Sequence, residues 1–214
     1  MPEFPSIPVS PAELLEGYLP EAFAALAPPP GIEALKLQLG LRLDGEGGGE
    51  WVVDLEGGTV AVRPGARDAT SFTYVQSVSD WQGALWEGRG SWLGKGAAAL
   101  FRPDADEAQA AVGLVGSALP MALAALGAVR GLLGVEVAEE EGAWKVAIQL
   151  GPGEVPAEPT AVVHVSSDDI DQIISGELKP MEAFMAGRIR VVGDMSLLLQ
   201  IKAAAMQAMG SLAS

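Results

Sequence analysis

Cysteine is absent from this chain of 214 residues, and histidine occurs once. Without cysteine the chain can form no disulfide, no thiolate nucleophile and no cysteine-based zinc site. The same absence fits a reducing compartment, so we expect a cytoplasmic location. His164 lies in the apolar segment AVVHVS. A single histidine in such a strand is more often a structural residue than a catalytic base.

Positive charge is also scarce. Lysine and arginine total 13 against 28 aspartates and glutamates, which gives a net charge of −15 at pH 7. Both halves of the chain are acidic, and neither carries the basic surface that nucleic acid requires, so nucleic acid is not an expected partner. The N-terminal residues MPEFPSIPVSPAELLEG have no basic start and no long apolar core. They therefore do not read as a signal peptide.

Motifs for covalent chemistry are missing as well. No Gly-x-Ser-x-Gly occurs, and GRGSWLGKG departs from a phosphate-binding loop because Arg89 and Gly96 stand where glycine and Ser/Thr are required. The acids Asp168, Asp169 and Asp171 are better explained by the favourable dipole at a helix start than by a metal. We expect no enzymatic activity, no cofactor and no metal.

Hydrophobic residues make up 49% of the chain, which is enough for a packed core. Ser10-Pro11-Ala12-Glu13 predicts a helix start, and Pro20 is expected to interrupt that helix. In LKLQLGLRL, leucine alternates with other residues, which predicts a half-buried strand. Similar strands and one short helix ending at Gly88 follow.

The second half of the chain repeats the order of the first. GGEWVVDLEGG corresponds to EGAWKVAIQLG, TSFTYV to TAVVHV, and SVSDWQGALWEG to SSDDIDQIISG. We interpret this as a diverged tandem duplication. The pattern predicts an α+β fold in which antiparallel sheets are covered by helices. Between the halves, the uncharged stretch Ala108–Val129 is long enough to span a membrane, but its proline and small residues favour a buried helix.

The C-terminal segment predicts a helix that is apolar around most of its circumference. Asp194 is a good N-cap, and Ser196, Gln200 and Gln207 share one narrow stripe, with Lys202 apart from it. A helix on a sheet normally buries one face, so the remaining apolar surface needs a second sheet, a partner subunit or an apolar ligand. The simplest alternative is that this helix is enclosed by the core and contacts no ligand or partner.

The segment DDIDQIISGELKPMEAFMAGRIRVVGDMSLLLQIKAAA resembles the type-two sterol carrier protein family of nonspecific lipid-transfer domains over residues 160–205. The residues that carry the resemblance are an acidic helix start, an Ala-Phe-Met-x-Gly run, a basic alternating strand and a Gly-Asp before the last helix: Asp168 or Asp169, Gly176, Ala183, Phe184, Met185, Gly187, Arg188, Ile189, Arg190, Val191, Gly193 and Asp194. The first half lacks the Ala-Phe-Met-x-Gly run.

The resemblance implies a small sheet with helices on one side that enclose an apolar tunnel for a fatty acyl chain or a sterol-like lipid. It implies binding without covalent chemistry. Residues expected to line the tunnel are Ile173, Ile174, Phe184, Met185, Leu198, Ile201, Ala205 and Met209. Arg188 and Arg190 are expected on one strand face, which a solvated surface explains better, and they are also candidates for holding an anionic head group.

Four segments follow from this interpretation: an N-terminal helical segment (1–30), a degenerate repeat (31–107), an apolar connecting helix (108–130) and a lipid-binding repeat (131–214). The expected partner is a lipid or another apolar small molecule, with transient membrane contact and a monomeric pseudo-dimer or weak homodimer. A packed module that assists an enzyme of lipophilic substrates is the alternative. In that case Trp81, Trp86 and Trp92 would mark a partner surface if several of them are exposed.

Overall fold

A computed structural model describes residues 2–26, 36–65, 70, 72–103 and 126–212. The chain begins with a π-helical segment, Glu13–Tyr18, that continues directly into helix α1, Leu19–Ala24. The predicted cap at Ser10 is confirmed, because the Glu13 N–H donates to its hydroxyl oxygen at 3.2 Å. Pro20 does not interrupt the helix. It lies directly after the π-helical segment, in a helix that continues without a break into α1.

The remaining strands and helices form two similar series. The first series comprises β1 (Lys36–Asp44), β2 (Gly49–Glu56), β3 (Thr59–Pro64), β4 (Phe72–Ser77), α2 (Val78–Gln82), a π-helical turn (Gly83–Glu87) and α3 (Ser91–Ala99). The second comprises β5 (Gly131–Glu139), β6 (Gly142–Leu150), β7 (Ala161–Ser166), α4 (Ser167–Ile174), α5 (Pro180–Met185), β8 (Arg190–Gly193) and α6 (Met195–Leu212).

All eight strands form a single sheet in the order β3-β2-β1-β4-β6-β5-β7-β8. The predicted α+β class is confirmed. The expected antiparallel arrangement needs one correction, because β1 is parallel to β4 and β5 is parallel to β7. Those parallel neighbours arise because β4 returns to lie beside β1, and β7 beside β5, so that each pairs with the first strand of the earlier hairpin and not with the second.

The two halves share part of their strand connections. In each half a hairpin is joined by a later strand parallel to its first member, directly in the second half and after β3 in the first, and that strand leads into a helix capped by serine, Ser77 or Ser166. Each half also supplies what the other lacks. In the first half the outer edge of β2 pairs with β3, and the corresponding edge of β6 pairs with β4. In the second half the outer edge of β7 pairs with β8, and the corresponding edge of β4 pairs with β6. The predicted repeats therefore share one sheet, while their origin by duplication stays a prediction.

The core lies on one face of the sheet, in three clusters. The first joins the N-terminal helical segment to β1, β2 and Trp81. The second lies beneath α6, around Phe72 and Leu150. The third lies beneath α3 and α4, around Trp144 and Val137. The opposite face carries ion pairs such as Lys145–Glu136 at 3.2 Å, together with buried residues such as Val52, Thr73 and Leu132, so it is only partly open to water.

The three tryptophans Trp81, Trp86 and Trp92 of the first half lie in different environments. Trp81 is buried, Trp86 packs against the same cluster, and Trp92 is exposed. Trp81 and Trp86 therefore serve in packing, and of these three tryptophans only Trp92 is exposed, so the condition for a partner surface is not met. The apolar stretch Ala108–Val129 lies almost wholly outside the described residues. Within the described ranges, no helix combines the length and apolar character needed to cross a membrane.

Candidate functional site

Helix α6 is held against the sheet by its inner side. Leu197, Ile201 and Ala204 lie on that side, since residues three and four apart share a helix face. They pack with the buried residues Phe72, Val129, Leu150 and Ala161. A Cβ placed on Gly131 would lie 3.1 Å from a methyl carbon of Leu197, which shows how closely the helix approaches β5.

The outer side of α6 remains apolar and uncovered. Met195, Leu199 and Met206 are spaced by four and seven residues, so they form one stripe, and all three are exposed. The exposed Lys202 lies along this stripe. The surplus of apolar surface predicted from the sequence is therefore present. The helix has more apolar surface than a one-sided packing can bury.

Asp194 sets the start of this helix. Its carboxylate accepts a hydrogen bond from the Ser196 N–H at 2.8 Å, which confirms the predicted N-cap. The hydrogen bonds from Ser196, side chain first and backbone second, lower the pKa of the Asp194 carboxyl below its usual value.

The lowered pKa of Asp194 predicts a pH dependence of the α6 start. The charged cap contributes its full stability above the ordinary carboxyl pKa and loses it as the pH falls through the lower pKa of the folded state. We expect hydrogen exchange of the first α6 amides to quicken over that acidic range. In the variant Asp194→Ala these amides should exchange faster at neutral pH, without the same acidic step. An identical acidic step in the variant would contradict this role.

Among the described residues, a less deeply buried strip crosses the helix-bearing face of the sheet between α6 and the pair α3 and α4. The Val137–Trp144 pair is fully buried under α3 and α4, and Leu150 is buried under α6. Between them the side chains are half-buried, and Ile148 reaches 41% exposure. We call this the apolar strip, and its members are Leu133, Val135, Val146, Ile148, Val163 and Val191.

The apolar strip links two clusters of the core. Leu133 packs against the cluster beneath α6, whereas Val135 and Val146 pack against the cluster beneath α3 and α4. An apolar molecule lying over Ile148 would bury this side chain and join both clusters. The strip is formed by aliphatic side chains, so it offers apolar contact.

The predicted tunnel residues are dispersed around this strip. Ile173, Leu198 and Ile201 are half-buried, and Ile201 belongs to the cluster beneath α6. Ile174, Phe184 and Met185 are exposed on α4 and α5. The side chains of Ala205 and Met209 lie outside the described residues. None of the six described side chains lines either of the two grooves seen in the described ranges, so their role in binding stays a prediction.

The two predicted head-group arginines do not share a strand face. Strand β8 begins at Arg190, so Arg188 precedes it and instead pairs with Asp169 while donating to the Gln172 oxygen at 3.0 Å. Arg190 lies opposite His164 in the register, on the ion-paired face of the sheet away from α6. Arg188 therefore ties α4 to the loop before β8, and Arg190 is remote from the apolar strip.

The sequence does not identify the apolar strip as a site, although it predicts the alternation of its residues. The pattern predicts that Trp144, Val146, Ile148 and Leu150 share one strand face, and they do. Which of these side chains is most exposed depends on the distance between the helices that pack on the sheet. Strand alternation carries no information about that distance.

Other candidates for chemistry are engaged in structural contacts. His164 lies 3.9 Å from Glu136, between Nδ1 and Oε1, and Asp171 accepts a hydrogen bond from Ser91 at 2.6 Å. In the part of the chain that the structure describes, no three His, Asp or Glu side chains are grouped to hold a metal ion.

Among the described residues, the fold is a sheet with helices on one face and a half-buried apolar strip between them. Residues 116–206 match the SCP-2 sterol transfer family. This part of the chain is an SCP2-type domain, so the resemblance predicted over residues 160–205 is confirmed.

Solved structures of similar proteins match the same share of the chain. Sterol Carrier Protein 2 Like 2 from Aedes aegypti is 23% identical, with 42% of this chain and 94% of that chain covered at a TM-score of 0.29. Sterol carrier protein domain 2 of Helicoverpa armigera is 24% identical, with 44% and 87% covered at a TM-score of 0.31. These TM-scores are too low to carry an argument about this chain.

Two curated relatives match a shorter segment. Stomatin-like protein 1 of Mus musculus is 34% identical over 55 residues, which are 26% of this chain and 14% of the relative. Hydroxysteroid dehydrogenase-like protein 2 of Danio rerio is 36% identical over 69 residues, which are 30% of this chain and 17% of the relative. The chain thus spans only a small part of the length of either relative.

Proposed function

We propose that this chain binds a lipid without covalent chemistry, with the apolar tail lying on the apolar strip. The observation that supports the proposal is the exposure of Ile148 between two packed clusters, within the segment that matches the SCP-2 sterol transfer family. A fatty acid, an acyl chain and a sterol-like molecule all supply the apolar surface that such a strip would bury. The role is that of a carrier and not of an enzyme, and a cytoplasmic location goes with it.

The energetics favour a ligand with a substantial apolar tail. Burial of each methylene contributes roughly 0.8 kcal/mol. Association costs on the order of 4–15 kcal/mol, so a short chain gains too little to bind and a long chain gains enough. Because Arg188 is paired and Arg190 lies on the other face, the tail supplies most of the affinity.

The exposed stripe of α6 favours a second candidate function. Met195, Leu199 and Met206 present a flexible apolar surface that a partner protein or a membrane could cover. In that case the chain is an interaction module that assists an enzyme of lipophilic substrates. The predicted weak homodimer would use the same stripe.

Native mass spectrometry of detergent-free protein, followed by organic extraction, separates these functions. A carrier is expected to retain an added mass that extracts as a fatty acid, a sterol-like lipid or a quinone. A bare mass, together with no saturable uptake of a fluorescent acyl chain, would contradict lipid binding and leave the interaction module.

The variant Ile148→Lys tests the position of the ligand. A lysine in the centre of the apolar strip removes apolar contact and places a charge against the tail, so we expect acyl-chain affinity to fall about tenfold or more. The substitution is partly exposed and should change stability little. The matched control is Ile7→Lys, at a position 70% exposed and outside the strip. Equal affinities of the two variants would place the ligand elsewhere.

A further inference from the structure

A groove of about 370 Å³ opens beside the N-terminal segment and shares no residue with the apolar strip. Its size lies at the lower end of the roughly 300–1,000 Å³ typical of small-molecule sites. Phe4, Leu85 and Trp86 provide apolar walls. Arg102 and Glu3 provide the charged groups of the lining.

The walls of the groove are fixed by aromatic packing. The ring of Phe4 lies 5.3 Å from that of Trp86 and 5.4 Å from that of Tyr18, measured between centroids. The indole N–H of Trp86 donates to the carbonyl oxygen of Pro5 at 2.8 Å. These contacts tie the segment before the first helix to the core, so the groove exists before any ligand arrives.

Arg102 is the unusual group in this groove. Its guanidinium carbon lies 4.2 Å from the centroid of the Phe4 ring, and its Nε is buried without a hydrogen-bond acceptor. No carboxylate within the described ranges forms an ion pair with it. A partly desolvated guanidinium that forms no ion pair among the described residues is expected to attract an anion strongly.

We propose that this groove binds a small carboxylate with an apolar body. The terminal N–H groups of Arg102 would donate to the two carboxylate oxygens, an arrangement that matches the planar geometry of both groups. The apolar body would lie against Phe4 and Trp86. Glu3 opposes binding by its charge and so limits the affinity. This site is independent of lipid binding on the apolar strip.

Phenylacetate and its neutral counterpart phenylacetamide test the site, since they differ mainly in charge. Proton–nitrogen NMR of the full chain follows the indole N–H of Trp86 and the Nε–H of Arg102 during titration. We expect phenylacetate to shift both signals saturably and to bind at least about tenfold more tightly than the amide. N-acetylphenylalanine distinguishes a peptide carboxyl end, which would bind more tightly than phenylacetate, from a free acid, which would not.

Two variants complete the test. Arg102→Gln is expected to weaken phenylacetate about tenfold, and Glu3→Gln to strengthen it about two- to threefold by removing repulsion. Equal binding of acid and amide, or an unchanged phenylacetate affinity in Arg102→Gln, would overturn the proposal. If Arg102→Gln fails to fold, as shown by a lost Trp86 indole signal, the acid–amide comparison and Glu3→Gln decide the result. A change in acyl-chain uptake would report on the apolar strip and not on phenylacetate binding in this groove.

Discussion

Replacing Trp144 by alanine is expected to lower the free energy of unfolding by about 3–5 kcal/mol. Trp144 is 0% exposed at the centre of the cluster beneath α3 and α4. Its indole N–H donates to the carbonyl oxygen of Asp80 at 2.8 Å, so it joins the second half of the chain to the first. Gly90 lies against the indole ring and has no side chain that could move into the space left by its removal. The cavity would therefore persist.

Urea unfolding followed by circular dichroism measures this loss. Trp144→Phe keeps most of the ring but leaves the Asp80 carbonyl without its donor, so an intermediate loss of about 1–3 kcal/mol is expected. Trp92→Ala is the matched control, because Trp92 is 52% exposed and its removal should change stability by no more than about 0.5 kcal/mol. A Trp144→Ala loss no greater than that of Trp92→Ala would refute this role of the indole.

Leu197→Ala is expected to cost about 2–5 kcal/mol, whereas Leu199→Ala should cost about 0.5 kcal/mol or less. The two leucines lie two residues apart on α6, yet Leu197 is 1% exposed and Leu199 is 61% exposed. The same chemical change therefore samples the inner and the outer side of one helix. Native-state hydrogen exchange of the α6 amides gives the cost even if only this helix opens.

The comparison also tests the origin of the surplus apolar surface. If a partner chain covered the outer stripe in solution, Leu199→Ala would destabilise nearly as much as Leu197→Ala, and the loss would depend on protein concentration. Similar losses without concentration dependence would mean that the inner and outer sides of α6 have been assigned wrongly.

Local features of the fold could be predicted from sequence because their causes are local. Alternating leucines gave the buried face of β1, with Leu41 and Leu43 in the core. A serine three residues before an acid predicted the cap at Ser10. Pro20 misled because the helix accommodates it directly after a π-helical segment, and sequence periodicity does not reveal such a segment.

Features that depend on distant residues could not be predicted. Arg188 pairs with Asp169, which belongs to another helix, and the first residue of β8 decides the face of Arg190. The pairing of β4 with β6 depends on both halves lacking a strand at that edge. The apolar strip likewise depends on the space between α6 and the pair α3 and α4. Single-sequence patterns record which residues avoid water, and they do not record the distance between elements.

The shared sheet has a consequence for synthesis on the ribosome. Strand β4 pairs with β6 in a register that joins Phe72 to Leu150 and Val75 to Ala147. When β4 leaves the ribosome its partner does not yet exist, and at roughly 5–20 residues per second the wait is on the order of several seconds. Throughout that time its hydrogen-bonding edge is open to other nascent chains. A holding chaperone would therefore act on this protein before residue 150 is made and lose its target afterwards.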